Sequence, residues 1–90
     1  MRDYDIDVNE KMNLSEMNLS KISTVIRNDW KNVNFAVKPY LDAMVTLNSV
    51  DDNYMLDSGR SVVAYFLSNA GSWRGDVARG VKAHLNSLIK

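Results

Sequence analysis

The chain has 90 residues, 46% of them apolar, with 11 basic and 11 acidic side chains and no net charge. That is enough for a single domain with its own core, and too apolar for a disordered segment. The lack of cysteine excludes disulfides, thiolate catalysis and cysteine metal ligands, and a single histidine, His84, excludes a multi-histidine zinc site within one chain.

No apolar run approaches the ~20 residues that span a bilayer. The first ten residues, MRDYDIDVNE, are acidic and lack the basic-then-apolar order of a signal peptide. The expected compartment is therefore the cytoplasm, without membrane attachment. The charge is segregated along the chain. Residues 1–57 carry six basic and ten acidic side chains, and residues 58–90 carry five basic ones against Asp76. Such a division either steers an anionic partner to the C-terminal part or lets the two parts attract each other in the fold; the second is the simpler expectation, because an excess of four charges is small for a nucleic-acid footprint.

Residues 1–12 read as a flexible acidic lead, although Tyr4, Ile6 and Val8 alternate as a short docked segment would. A direct repeat follows, Met12-Asn13-Leu14-Ser15 and then Met17-Asn18-Leu19-Ser20. Its period fits no solenoid. Asn13 with Glu16 forms one candidate helix cap and Asn18 a second. A first helix is predicted over residues 19–30, where Leu19, Ile22, Val25, Ile26 and Trp30 share a face. Asn34 is placed to cap a second helix over residues 35–47, with Val37, Tyr40, Leu41, Met44 and Leu47 inward. Pro39 cannot donate a backbone hydrogen bond, so the regular helix must begin near Val37 or Lys38. Residues 48–53 form a polar turn. Asp57 or Ser58 caps a third helix, whose inner face is Val62, Val63, Phe66, Leu67 and Ala70. Gly71 is expected to end it in the left-handed conformation, and Ser72 to cap a fourth helix carrying Trp73, Val77, Val81, Leu85, Leu88 and Ile89 inward. The fold class that follows is all-α: one compact bundle of about four helices over residues 13–90.

The junction from Leu67 to Asp76 is the stretch richest in chemistry. It reads either as a helix-turn-helix presenting Arg74, Arg79 and Lys82 to nucleic acid, or as an ordinary helical hairpin with Trp73 in the core; the second is favoured, because a DNA reader's exposed helix face normally carries more polar and basic groups. Arg74-Gly75-Asp76 spells an integrin-type tripeptide, but that recognition requires an extended loop. Asp51, Asp52, Asn53 and Asp57 resemble half a calcium loop, yet Met55 stands where an oxygen ligand belongs and the distal glutamate is missing. Gly59 is not part of a phosphate loop, no nucleophile elbow occurs, and His84 lacks a spaced partner. Asp29 and Asp42 are carboxylates that could meet in space. Tyr54 and Tyr65, if exposed, are candidate partner anchors beside Arg74, Arg79 and Lys82. No catalytic, cofactor or metal residues are identified.

The stretch Tyr65-Phe-Leu-Ser-Asn-Ala-Gly-Ser-Trp-Arg-Gly-Asp-Val-Ala-Arg79, with Lys82 and Leu85, resembles a pattern in short uncharacterised proteins of bacteriophages and mobile elements of low-GC bacteria. The resemblance covers residues of about 30–90, including Trp30-Lys31 and Pro39-Tyr40-Leu41, and implies no activity or catalytic residue. In size and style the chain is also similar to anti-CRISPR proteins and other phage inhibitors of host machinery. The expected function is a non-enzymatic protein-binding module that docks on a host or phage protein. The alternative is a small nucleic-acid-binding protein using the C-terminal basic helix, and a homodimer is compatible with either.

Overall fold

Residues 14–90 are described by the computed structural model of the chain. The acidic lead, with Tyr4, Ile6 and Val8, and the Asn13 cap candidate lie outside the described residues. Among the described residues there are four α-helices: α1 (Leu19–Asp29), α2 (Lys38–Val45), α3 (Gly59–Ser68) and α4 (Asp76–Ile89). They close a ring in which α1 meets α2, α2 meets α3, α3 meets α4, and α4 returns to α1. This is the all-α bundle expected from the spacing. It carries one small addition, an antiparallel hairpin of β1 (Asn53–Tyr54) and β2 (Asp57–Ser58), with Asn53 opposite Ser58 and Tyr54 opposite Asp57.

Local chemistry accounts for most helix starts. Of the two caps in the repeat, Asn18 is used: its side chain accepts from the Lys21 N–H at 2.8 Å. Leu14 and Ser15 of the first copy lie in a 3-10 turn, Leu14–Glu16, and Leu14 and Leu19 both enter the core. Asn34 accepts from the Ala36 N–H at 3.1 Å and opens a second 3-10 turn, Phe35–Val37. The regular helix starts at Lys38, which puts Pro39 in the first turn, where its missing N–H is harmless. That helix stops at Val45, short of the predicted end. Thr46 donates its hydroxyl back to the Ala43 carbonyl at 2.8 Å, and Leu47, still buried, follows in a tighter turn. Ser58 caps α3 by accepting from the Ser61 N–H at 3.0 Å.

The α3–α4 junction differs from expectation at both its ends. Gly71 does not adopt positive φ; Gly75 does, at 111°. The end of α3 is closed without a left-handed residue: the Asn69 side chain donates to the Tyr65 carbonyl at 2.9 Å and the Asn69 N–H to the Phe66 carbonyl at 3.0 Å. Gly75, not Ser72, is the cap residue of α4, and its carbonyl accepts from the Arg79 N–H at 3.0 Å. Trp73 and Arg74 therefore stand in the connecting loop rather than on the fourth helix.

Tertiary contacts complete the ends that local chemistry leaves open. The free N–H groups of Leu19 and Ser20 donate to the carbonyls of Asn48 (3.1 Å) and Leu47 (3.0 Å) beyond the end of α2. Asp52 gathers the turn over residues 48–52, accepting from the N–H groups of Asn48 (2.9 Å) and Ser49 (3.2 Å). The Gly59 N–H then donates to the Asp52 carbonyl at 2.6 Å. A Cβ at Gly59 would lie 2.7 Å from the Ser49 carbonyl oxygen and 3.0 Å from the Val50 Cα, so only glycine lets α3 start this close to the turn.

Candidate functional site

The three aromatic residues Trp30, at the end of α1, Phe66 of α3 and Trp73, in the loop before α4, pack together in the core. Trp73 lies flat against Trp30, centroids 5.7 Å apart and planes 8° from parallel, while Phe66 meets both edge-on at 6.4–6.5 Å. The Trp73 indole N–H donates to the Asp29 carboxylate at 2.8 Å. Asp29 is thus committed to Trp73 and Asp42 to Arg27, at 2.5 Å, so the two carboxylates serve separate partners.

This junction redistributes the basic residues anticipated from the sequence. Lys82 is half-buried and turns inward: its ammonium donates to the Trp73 carbonyl at 2.6 Å and sits 5.9 Å from the centre of the Trp73 ring. Burial, and then the charge of Arg74, hold its pKa below the usual lysine value. Arg79 is paired with Asp76 one turn earlier on α4. Arg74 lies off the helix, exposed in the loop, without an ion pair among the described residues. The three therefore do not make one stripe on one helix. Across the division of charge between the two parts of the chain, Asp51 pairs with Arg60 at 3.5 Å.

The apolar surface is distributed quite differently. All five large apolar side chains left exposed among the described residues, Phe35, Val45, Met55, Leu56 and Tyr65, belong to α2, α3 and the segments leading into them; α1 and α4 contribute none. Tyr65 is half exposed on α3 and leans on Tyr40 of α2, ring centres 5.6 Å apart. Tyr54 on β1 is half-buried and packs against the core, which makes it a support more than an anchor. It holds up the hairpin turn, where Met55 is 84% exposed and Leu56 entirely so. Met55 has φ of +56°, a conformation that side-chain-bearing residues seldom adopt. Positive φ at the first of two central residues is the type II′ hairpin pattern, which normally takes glycine there.

No protein-family model matches the chain, and neither a curated protein nor a solved structure matches it.

Two shallow clefts among the described residues are lined by other side chains. One, of about 210 Å³, is lined by Ser15, Met17, Asn48, Asp51, His84 and Leu88 among others. Burial lowers the His84 pKa, which favours the neutral ring, and the imidazole has no hydrogen-bond partner among the described residues. The other, of about 220 Å³, lies between Val25, Asn28, Asp29 and Val77. Among the described residues no group of His, Asp and Glu is arranged to hold a metal ion, and no helix is long and apolar enough to cross a membrane. The one buried polar residue in that span, Ser23, donates its hydroxyl to the Ser20 carbonyl at 2.7 Å and is not an available nucleophile.

Met55, Leu56 and Phe35 were not among the residues that the sequence singled out. A usable signal existed for the first two. Two apolar residues sit between the turn-forming Asp51-Asp52-Asn53 and the helix cap at Ser58, where no helical spacing can take them inward. For Phe35 the signal was spacing: three, four and seven residues on stand Lys38, Pro39 and Asp42, which puts it off the inward stripe of the second helix.

Proposed function

We propose that this chain is a non-enzymatic protein-binding module, a phage or mobile-element protein acting in the host cytoplasm by docking on another protein and inhibiting or modulating it. One observation carries the binding part: the exposed large apolar side chains of the described chain all belong to α2, α3 and the segments leading into them, and none lies on α1 or α4. Scattered apolar residues on a surface need no explanation, but their restriction to one pair of helices and the segments entering them favours an interaction face there. The resemblance of residues 65–79 to short phage and mobile-element proteins supports the biological setting. Against the nucleic-acid alternative stands the engagement of Arg79 with Asp76 and of Lys82 with the Trp73 carbonyl, which leaves Arg74 as the unpaired member of the three.

The test is co-purification from cells of the source organism with tagged wild type, Tyr65→Asp, and Arg79→Asp, each shown to be folded by circular dichroism. A stoichiometric protein recovered with wild type and Arg79→Asp but lost with Tyr65→Asp is the expected result. Nucleic acid that co-purifies with wild type and Tyr65→Asp and is released by Arg79→Asp would replace this reading with the alternative.

A further inference from the structure

We infer that the hairpin of residues 53–58 is a plug, which inserts Met55 and Leu56 into an apolar pocket on a partner protein whose rim carries Lys and Arg side chains. The inference rests on the protein-binding reading and specifies the partner's chemistry. Neither tip residue does anything for the fold. Both are exposed, and Met55 holds a backbone conformation that glycine would adopt without cost. Strain and exposed apolar surface at the same two-residue turn are features a domain keeps when something outside it makes use of the tip. The tip is also held ready. Tyr54 beneath it packs on the core, and the Gly59 N–H ties the end of the hairpin to the Asp52 carbonyl at 2.6 Å. A pre-formed tip loses little conformational freedom on binding.

Charge decides among the occupants. The tip rises from an acidic setting of Asp51, Asp52 and Asp57. Asp52 is turned back onto the 48–52 turn, and Asp51 is balanced in part by Arg60 at 3.5 Å. Asp57 directly follows Leu56, is exposed, and has no ion pair among the described residues. An anionic lipid surface would repel this tip, and so would the hairpin of a second copy meeting it across a two-fold axis. A basic rim around an apolar pocket is the complement, and it would act mainly on the rate of encounter while the apolar side chains hold the complex.

The experiment places a diazirine photo-crosslinking amino acid at position 56 of the full chain in cells of the source organism, with position 21 on α1 as the control. The protein captured from position 56 is purified and titrated against the wild type, Leu56→Ser and Asp57→Lys. Sedimentation of the chain alone, and with phosphatidylcholine vesicles containing or lacking phosphatidylglycerol, runs alongside. The expected result is a protein adduct from position 56 and not from 21, mapped to an apolar pocket flanked by Lys or Arg. Leu56→Ser weakens binding by about 30-fold or more, and Asp57→Lys slows association roughly tenfold at low salt. An adduct only with lipid, only with a second copy, or no adduct at all overturns the plug, while the protein-binding reading stands or falls on the Tyr65→Asp co-purification. A captured protein whose affinity changes by less than about twofold in Leu56→Ser overturns the plug, since a hot-spot side chain costs far more. An unchanged association rate in Asp57→Lys overturns the basic rim and leaves protein binding standing.

Discussion

Replacing Trp73 by alanine removes the side chain on which three elements converge. Truncating a buried tryptophan costs ~3–5 kcal/mol from lost transfer energy and the cavity left behind. Trp73 is 2% exposed and touches Trp30 face to face and Phe66 edge-on, so the upper part of that range applies. Its hydrogen bond to Asp29 adds little, because Asp29 is exposed and water replaces the donor. A loss of about 4–5 kcal/mol is expected, a large share of the ~5–15 kcal/mol that holds a small domain together. At about 4–8 °C per kcal/mol the melting midpoint falls by more than about 15 °C. Urea unfolding should be followed by far-ultraviolet circular dichroism, because the substitution removes one of the two indoles that fluorescence would report. Trp73→Phe keeps a ring but no N–H, and combined with Asp29→Asn in a double-mutant cycle it isolates the hydrogen bond, expected at about 1 kcal/mol or less. A loss below about 1.5 kcal/mol for Trp73→Ala, less than an ordinary buried apolar side chain contributes, would refute the account of this junction.

Gly59→Ala should destabilise by about 1–3 kcal/mol in the same urea assay, because its Cβ meets backbone atoms of the 48–52 turn that cannot move independently. Met55→Gly should raise stability by up to about 1 kcal/mol, the relief of positive φ less the greater freedom of glycine in the unfolded chain, while weakening any complex made through the tip. His84 gives a pH signature. Burial lowers its folded pKa below 6.5, so the unfolded chain takes up the proton first, and stability falls as pH drops from 6.5 toward the folded value. The wild type should therefore lose more of its melting midpoint between pH 7.5 and pH 5 than His84→Gln does, and equal losses would remove His84 as the cause.

Local signals in the chain were sufficient for a good part of the molecule. Leu19, Ile22 and Ile26, or Val62, Val63 and Phe66, repeat at helical spacing and do enter the core. Asn18, Asn34 and Ser58 act on N–H groups two or three residues ahead, within reach of any sequence reading, and Pro39 restricts only its own turn. Gly71 shows where such reading fails even locally: glycine permits the left-handed conformation without requiring it, and the side chain and N–H of Asn69 met the same need. What remained depended on which distant segments the folded chain brings together. The Trp73 indole finds Asp29 across 44 residues of chain, and Asn18 finds Asn48 across 30. The Lys82 ammonium turns to a carbonyl in the preceding loop, which withdrew it from the basic group that the sequence assembled. The close approach that makes Gly59 necessary, and the hairpin that lifts Met55 and Leu56 away from the core, exist only once the 48–52 turn has been fastened under α3. Spacing and capping act over about one helical turn, whereas these contacts are selected by the packing of the whole core, which no window of sequence contains.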